Sequence, residues 1–427
     1  MKKIIFTGFS PNLTGRDVLV ALKFLCLPWK WFTLLDDCGP IGFSLINGKY
    51  IKIAEEKLKQ YFKIKYAYTF DSGRSALYFA LKSLRAGEGD EILTQAYTCV
   101  VVPNAICQTG AKPVYVDICN DFNMDPEDLE KKITHKSKIL IIQHTFGLPA
   151  QLGKLLLIAK KYNLKVVEDC AHSFGAKYNG QFVGTFGDIG MFSFGADKTI
   201  SCVRGGALIT KNSELADKIK QYQNNLPLPL MSKTIQHLLH YPLFFVGKPL
   251  YGIKIGKVLL YIAKKFNIIN HIIYKPEKSG HPVPFYPARL ANALAQILIN
   301  QLQEVDEIND HRRRIAKLYT NFVHNKKVRH PTSDIRHPKL RYTILTKHPR
   351  KMHDYAKKHG IILGNWYNTV IAPADIDLEK IGYKKGDCPN AELLASQSIN
   401  LPTNRCTTEK DAKRIVKVIN QFNRPVA

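Results

Sequence analysis

Residues 166–210 read "VVEDCAHSFGAKYNGQFVGTFGDIGMFSFGADKTISCVRGGALIT", and this stretch decides the fold. Its apolar runs "GMFSF" (190–194) and "GALIT" (206–210) are short and bounded by glycine, which is typical of interior strands. Lys198 lies in a small-residue turn between these two runs. On this stretch alone, Lys198 is either an ordinary loop residue or an amine held in position for chemistry.

The sequence on both sides of this stretch alternates strand-like and helix-like segments. Strands are predicted at 66–70, 90–95, 113–118, 138–146 and 165–170, with helices at 51–62, at 152–163 and after residue 72. Apolar strands separated by helices indicate βαβ units and a mostly parallel sheet covered on both faces. We therefore predict a large α/β domain over residues 1–288.

The remainder of the chain has a different pattern. Residues 291–322 follow a helical period as one long helix, and a strand (340–346), a helix (352–359) and a closing helix (408–422) follow. This pattern predicts a smaller α+β domain over residues 289–427.

Composition restricts the class of protein. An apolar content of 45% in 427 residues is that of a globular chain. The nine cysteines form no CxxC pair, which argues against a zinc site or a disulfide framework, and no metal site is predicted. The first residues contain only a three-residue apolar run, so a cytoplasmic protein without a secretory signal is expected.

Charge is concentrated in one segment, an insertion at about residues 225–285. The whole chain carries a net charge of +27, yet residues 218–276 contain nine lysines and no Asp or Glu. The longest uncharged run, 234–247, is shorter than the roughly 20 residues that span a bilayer. Two interpretations stay open: a basic amphipathic hairpin lying on an anionic membrane, or helices packed on the protein itself. Nucleic acid is not expected as a partner, because no DNA- or RNA-binding motif accompanies the charge.

Two predicted strand ends carry polar residues suited to ligand binding. Ser72, Gly73 and Arg74 follow a strand and begin a helix, where exposed amides suit a phosphate, although Ser72 could be only a helix cap. Asp169 ends a hydrophobic strand, so its carboxylate needs a cationic partner, either a ligand or another residue.

Two further segments contribute candidate ligand-binding residues: an amine and a hydroxyl in one, and an aromatic ring in the other. Ser193 and Lys198 follow the run at 190–194, and Tyr97 follows the strand at 90–95. Pyridoxal phosphate (PLP) requires a phosphate site, a carboxylate for its pyridine nitrogen, a contact for its ring and a lysine for its aldehyde. A single PLP site therefore accounts for all four strand ends.

With these segments in view, the chain resembles the sugar aminotransferases of the DegT/DnrJ/EryC1/StrS family, which have fold type I of the aspartate aminotransferase superfamily. The resemblance runs from about residue 48 to 422, and it rests on "SGRSALYFAL", "GDEILTQAYTCVVVPNAI", "GAKPVYVDI", the stretch quoted first, "RLANALAQILINQLQEVDEINDHRRRIAKLY" and "AELLASQSINLP". It implies a mostly parallel seven-stranded sheet, a homodimer, and transfer of an amino group from L-glutamate to a nucleotide-linked keto sugar for glycan or polysaccharide biosynthesis.

The resemblance also implies roles for individual residues. Lys198 matches the lysine that bonds PLP, and Asp169 matches the partner of the pyridine nitrogen. His172 falls beside the ring's 3-hydroxyl. The phosphate site is matched by Ser72, Gly73, Arg74 and Ser193.

Three positions depart from the family pattern. Cys99 stands where an aromatic ring usually stacks on PLP, so Tyr97 is the alternative for that contact. Arg74 replaces a threonine of the phosphate site, and Pro287 replaces an asparagine that reaches the partner subunit's cofactor. Family members that lack the lysine act as dehydratases, so the presence of Lys198 favours transamination. Two alternatives remain: a PLP-dependent sugar-modifying enzyme of other outcome, or a non-catalytic regulatory paralogue that binds PLP or a nucleotide sugar.

Overall fold

The computed structural model describes residues 3–8, 12–27, 44–331, 334 and 336–422. Cys38 lies outside these residues. So do residues 1–2 and 9–11, which belong to the N-terminal stretch from which no secretory signal is expected. The helices are α1 (Gly15–Leu25), α2 (Lys49–Phe62), α3 (Gly73–Ser83), α4 (Val101–Cys107), α5 (Pro126–Lys132), α6 (Leu152–Lys161), α7 (Ser213–Asn225), α8 (Met231–Gly247), α9 (Ile255–Lys265), α10 (Lys275–Lys278), α11 (Asn292–Gln303), α12 (Val305–Phe322), α13 (Pro349–Lys358), α14 (Pro389–Gln397) and α15 (Glu409–Gln421). Short 3₁₀ helices lie at Thr145–Gly147 and Pro249–Ile253.

The strands are β1 (Ile5–Phe6), β2 (Tyr66–Phe70), β3 (Glu91–Gln95), β4 (Thr98–Cys99), β5 (Lys112–Val116), β6 (Ser137–Gln143), β7 (Lys165–Asp169), β8 (Lys177–Tyr178), β9 (Gln181–Phe182), β10 (Ile189–Ser193), β11 (Gly206–Thr210), β12 (Arg341–Leu345), β13 (Ile361–Ile362), β14 (Ile371–Ala372) and β15 (Ser398–Pro402). Seven of them form one sheet in the order β2-β11-β10-β7-β6-β3-β5. The strands from β10 to β5 pair in parallel, whereas β11 runs antiparallel to both neighbours, β10 and β2. The predicted α/β fold with a mostly parallel seven-stranded sheet is confirmed.

Both faces of this sheet are covered, as its apolar strands require. Successive side chains of a strand point to opposite faces, and neighbouring residues accordingly fall into two different hydrophobic clusters. The pairs that divide in this way include Ile92 and Leu93, Ile139 and Leu140, and Met191 and Phe192. Helices therefore pack on each side and leave the carboxyl ends of the parallel strands open at one edge.

The small domain has a core of its own, built around the antiparallel pair β12–β15 with α13, α15 and the second half of α12. Ile308 packs in the large-domain core, while Ile315 packs in the small-domain core. The chain therefore passes from the large-domain core to the small-domain core within α12, between residues 308 and 315. This point lies after the predicted domain boundary at residue 289. The boundary at 289 stays a prediction.

The expected single helix over 291–322 is wrong. Glu304, with φ −107° and ψ 3°, separates α11 from α12. Because of this break, α11 packs on α2 in the large-domain core and α12 continues into the small domain. The apolar period does not reveal the break, since it continues on both sides.

The segment predicted as an insertion contains α8, α9 and α10. Helix α8 packs against α1, and α9 packs on α8 through Leu260, which contacts Gly247. Among the described residues, no helix combines the length and the apolarity needed to cross a membrane.

Candidate active site

A cleft opens where strands β6, β7 and β10 end. It encloses about 810 Å³ of empty space including its mouth. The residues that line it and were predicted from the sequence are Gly73, Arg74, Cys99, Asp169, His172, Ser193 and Lys198. The fold thus brings together residues that lie up to 125 positions apart in the chain.

One end of the cleft is formed by the start of α3. Ser72 caps this helix, and its hydroxyl accepts a hydrogen bond from the Ser75 amide at 3.2 Å. Gly73 lies directly against Ser193, because a Cβ on Gly73 would come within 2.7 Å of the Ser193 Cβ. The missing side chain keeps the first helical turn open beside a serine hydroxyl, which is the arrangement that a phosphate requires.

Asp169 lies at the end of β7, buried in the cleft wall. Burial raises the pKa of its carboxyl group, while a hydrogen bond from the Ala171 amide at 3.0 Å and the charge of Lys198 act in the opposite direction. A carboxylate in this position is stabilised by a cationic ligand. The protonated pyridine nitrogen of PLP is a ligand of that kind.

His172 is held neutral in the same cleft. Burial, followed by the charges of Lys198 and Arg341, places the pKa of its imidazole well below the usual range. Its Nδ1 accepts a hydrogen bond from the Phe146 amide at 3.5 Å, and its Nε2 lies 3.3 Å from the Tyr367 hydroxyl. The ring is therefore a neutral hydrogen-bonding group rather than a cation.

Lys198 lies in a tight turn and is half-buried. Its amide donates to the Gly195 carbonyl at 3.1 Å, and the side-chain amide of Asn12 donates to the carbonyls of Lys198 and Thr199. The neighbouring Asp197 accepts a hydrogen bond from Arg341 of β12 at 2.7 Å. The turn that carries Lys198 is thus held by Asn12 of the N-terminal arm, the segment that precedes α1, and by Arg341 of the small domain.

Arg74 lines the cleft, but its guanidinium is engaged by the insertion. It pairs with the buried Glu277 of α10, donates to the Ile272 carbonyl, and lies 5.8 Å from the centroid of the Tyr286 ring. These contacts turn its charge toward residues 272–286. The phosphate contact predicted for Arg74 stays a prediction.

Tyr97 is the predicted residue that the structure places away from the cleft. Its ring stacks on Phe122 at 5.0 Å and contacts Tyr367 at 5.3 Å, and its hydroxyl donates to the Tyr367 carbonyl at 3.1 Å. The ring is enclosed because it fills the space between β3 and the small domain. Cys99, two residues later, does line the cleft.

The sequence did not indicate several other cleft residues. Gln143 ends β6, Arg204 precedes β11, and Trp366 and Tyr367 come from the small domain. Gln143 and Arg204 lie at strand ends, a position that could have identified them. Trp366 and Tyr367 reach the cleft only through the docking of the small domain, for which the local sequence carries no signal.

A buried trio outside the cleft, His144, Glu168 and Cys170, is close enough to hold a metal ion. The Glu168 carboxylate, however, accepts hydrogen bonds from the Gly184, Phe186 and Gly187 amides at 2.7–2.8 Å and lies 3.1 Å from His144 Nε2. Its oxygens are therefore already used in holding the loop between β9 and β10.

Comparison with known proteins shows the family and the fold of the chain. The model of the DegT/DnrJ/EryC1/StrS aminotransferase family matches residues 41–227 and 263–420. GDP-perosamine synthase of Escherichia coli O157:H7 is 28% identical and is covered over 97% of both chains. A second relative, dTDP-3-amino-3,6-dideoxy-alpha-D-galactopyranose transaminase of Aneurinibacillus thermoaerophilus, is 27% identical over 89% of this chain and 92% of its own. The crystal structure of DesV from S. venezuelae has the same fold, with a TM-score of 0.72 at 22% identity, over 98% of this chain and 100% of that one.

Proposed function

This chain belongs to the DegT/DnrJ/EryC1/StrS aminotransferase family, and from that membership we propose that it is a PLP-dependent aminotransferase that transfers an amino group from L-glutamate to a keto sugar on a nucleotide carrier. The observation that carries the proposal is the convergence of Lys198, Asp169 and Ser193 in one cleft at the carboxyl edge of the sheet. A protein that only binds a nucleotide sugar has no use for a lysine and a buried carboxylate in this arrangement.

The cleft residues divide the work of such a reaction. When bound, PLP would supply a carrier for the amino group and a ring that withdraws electrons from the substrate carbon that loses a proton. The Lys198 Nζ moves that proton from the substrate carbon. Asp169 would hold the pyridine nitrogen protonated, and the α3 amides with Ser193 would hold the phosphate. His172, being neutral, would orient the ring through a hydrogen bond.

The visible absorbance of the purified protein tests this proposal. Wild-type protein is expected to show the band of lysine-bound pyridoxal well to the red of protein absorbance, and L-glutamate is expected to remove it. Lys198→Ala should lack the band and still fold, as judged by its circular dichroism. A wild-type protein that takes up no added PLP would overturn the assignment.

We further propose that the enzyme is a cytoplasmic homodimer. The active sites of the resembling family lie between two subunits. Light scattering behind a sizing column measures the mass directly. A monomer that retains full turnover would contradict this part of the proposal.

The insertion supports a second proposal, that the enzyme binds an anionic membrane peripherally at the inner face. Helix α9 buries Gly256, Leu260 and Ala263 and exposes an apolar face on its other side. Tyr261 and Phe266 are each 66% exposed on that face. Exposed apolar side chains flanked by lysines, within a stretch (218–276) that contains no Asp or Glu, are complementary to an anionic lipid surface.

Liposome co-sedimentation tests this second proposal. Vesicles containing phosphatidylserine should bind the protein, more weakly at high salt, and phosphatidylcholine vesicles should not. A triple variant, Val258→Ser, Tyr261→Ser and Ile262→Ser, should lose binding. Leu157→Ser is the control, because Leu157 is an apolar residue about as exposed as Tyr261 but lies on α6, outside the insertion. Equal binding by both variants would remove the idea.

A further inference from the structure

Arg204 is a buried arginine of the cleft without an assigned role. It lies two residues before the strand that begins at Gly206 and lines the same cleft as Gly73 and Lys198. The residue is only 5% exposed. Within the part of the chain that the structure describes, its Nη2 has no hydrogen-bond partner.

The surroundings of the guanidinium are mainly aromatic, with one further cation, Arg74, and two carboxylates, Glu277 and Asp71, that lie beyond ion-pair distance. Its central carbon lies 5.3 Å from the Tyr274 ring centroid and 5.4 Å from that of Tyr286. Burial, followed by the nearby charge of Arg74, lowers the pKa of Arg204. The neighbouring Glu277 is paired with Arg74, and no described carboxylate lies within ion-pair distance of Arg204.

A second buried arginine shows what is missing. Arg312 donates to the Leu340 carbonyl at 2.9 Å, the Thr403 hydroxyl at 3.1 Å and the Asn12 side-chain oxygen at 3.3 Å. Both terminal nitrogens of Arg312 are therefore satisfied by the protein, as buried charges normally are, and only its Nε lacks a partner among the described residues. Arg204 lacks such acceptors and opens on a cleft, so its acceptor is expected from a ligand.

The position of Arg204 indicates the chemistry of that ligand. Gly206, two residues later, lies so close to the start of α3 that a Cβ there would be 2.4 Å from the Ser72 carbonyl oxygen. The chain next to Arg204 therefore passes the first turn of this 11-residue helix, and the charge of Arg74, the second residue of the helix, acts on Arg204. Helix amides and a guanidinium fork together match a phosphate group.

We propose that Arg204 is a phosphate ligand of the cleft and binds the phosphate group of PLP. The inference rests on the proposed function. Arg74 is paired with Glu277, so its guanidinium is already neutralised. Arg204 is therefore the arginine that remains for the phosphate. A nucleotide sugar also carries phosphate, and the experiment below separates these two sources.

The test compares the full-length protein, freed of cofactor, with Arg204→Gln, Arg204→Lys and Lys233→Gln. Titration with PLP and with pyridoxal, which lacks the phosphate, is followed by visible absorbance. Arg204→Gln should weaken PLP binding roughly 10- to 100-fold, the worth of a charge-assisted hydrogen bond, and leave pyridoxal binding unchanged. Arg204→Lys should be intermediate. Lys233→Gln is the matched control, because Lys233 adds charge to the same aromatic cluster without lining the cleft.

The other outcomes are equally decisive. If Arg204→Gln leaves PLP affinity unchanged but weakens binding of UDP or GDP, the PLP assignment is overturned. Arg204 would then bind the phosphate of the substrate. Equal weakening of PLP and pyridoxal, or an equal effect of Lys233→Gln, would overturn the proposal. If the wild type binds neither PLP nor pyridoxal, the proposed function fails. Thermal stabilisation by inorganic phosphate, compared between wild type and Arg204→Gln, then still decides whether Arg204 binds phosphate.

Discussion

The cleft and the insertion differ in how a buried histidine is held. In the cleft, His172 has a partner at each ring nitrogen, and Asp197 is paired with Arg341. In the insertion, both ring nitrogens of His240 lack a partner among the described residues, while Tyr261 is exposed. A site that binds a small ligand has to be fixed in advance. The insertion instead leaves apolar surface uncovered, which suits a role in contacting another surface.

The sharpest way to separate the two regions is Asp169→Asn. An amide cannot stabilise a protonated pyridine nitrogen, and loss of one member of a buried ion pair costs about 3–5 kcal/mol. The glutamate half-reaction, followed by stopped-flow absorbance, should slow on the order of 10³-fold. Binding to anionic vesicles should be unchanged, because the insertion is not altered. A variant that keeps wild-type turnover would remove Asp169 from the reaction.

Core truncation should show that the two regions differ in their share of global stability. Leu208 is buried in the sheet, whereas Leu260 belongs to a four-residue cluster between α8 and α9. Leu208→Ala should lower the global free energy of unfolding by about 3 kcal/mol. Leu260→Ala should chiefly loosen the insertion, seen as faster hydrogen exchange in α8 and α9 with little change in the global urea midpoint. Equal shifts of that midpoint would show a single cooperative unit.

Glu277→Gln tests the connection between the regions. Glu277 pairs with Arg74, and its backbone carbonyl accepts a hydrogen bond from Asn104 at 2.7 Å. The substitution leaves a buried guanidinium without its carboxylate, which should free residues 270–286 from the cleft. We expect about tenfold faster proteolysis of the insertion, corresponding to about 1.4 kcal/mol. Glu379→Gln, on an exposed surface of the small domain, is the control and should not change the rate.

The smallest effect is expected from His240→Phe. The His240 ring stacks on Phe244 at 4.0 Å, and burial lowers its pKa to about 3. A depressed histidine pKa contributes stability above the unfolded value of about 6.5, and this stability is lost as pH falls toward the folded pKa. Phenylalanine should therefore stabilise α8 by about 1 kcal/mol at pH 8 and by more at pH 5. Hydrogen exchange of α8 at both pH values measures the difference, and an equal gain would exclude titration of His240.

Most of the fold could be predicted because its strands are short apolar runs with clear ends. The bounds of β2 and β11 match the runs at 66–70 and 206–210. The break at Glu304 could not be predicted, because the apolar period continues on both sides of it, and Val305 and Ile308 of α12 still pack in the same core as α11. An apolar period predicts which face of a helix is buried, but it does not predict which core that face packs against.

The site could be predicted only in part, for the same reason. Asp169 ends a strand that the sequence identifies, and Lys198 lies in the turn between two such strands. Trp366 and Arg204 are cleft residues because distant segments meet there, and the displacement of Tyr97 follows from the packing of Phe122 and Tyr367. Residues whose position depends on tertiary contacts are the ones that a sequence pattern does not locate.

The N-terminal arm has a consequence for the order in which the enzyme matures. Ile5 and Phe6 pair with Ile361 and Ile362, and Asn12 binds the carbonyl of Lys198. At translation rates of about 5–20 residues per second, β1 waits roughly 20 to 70 s on the ribosome before its partner strand emerges. The turn that carries Lys198 receives Arg341 similarly late. The first residues to be synthesised are therefore among the last to be fixed, and nascent chains should acquire activity only once the small domain has been made.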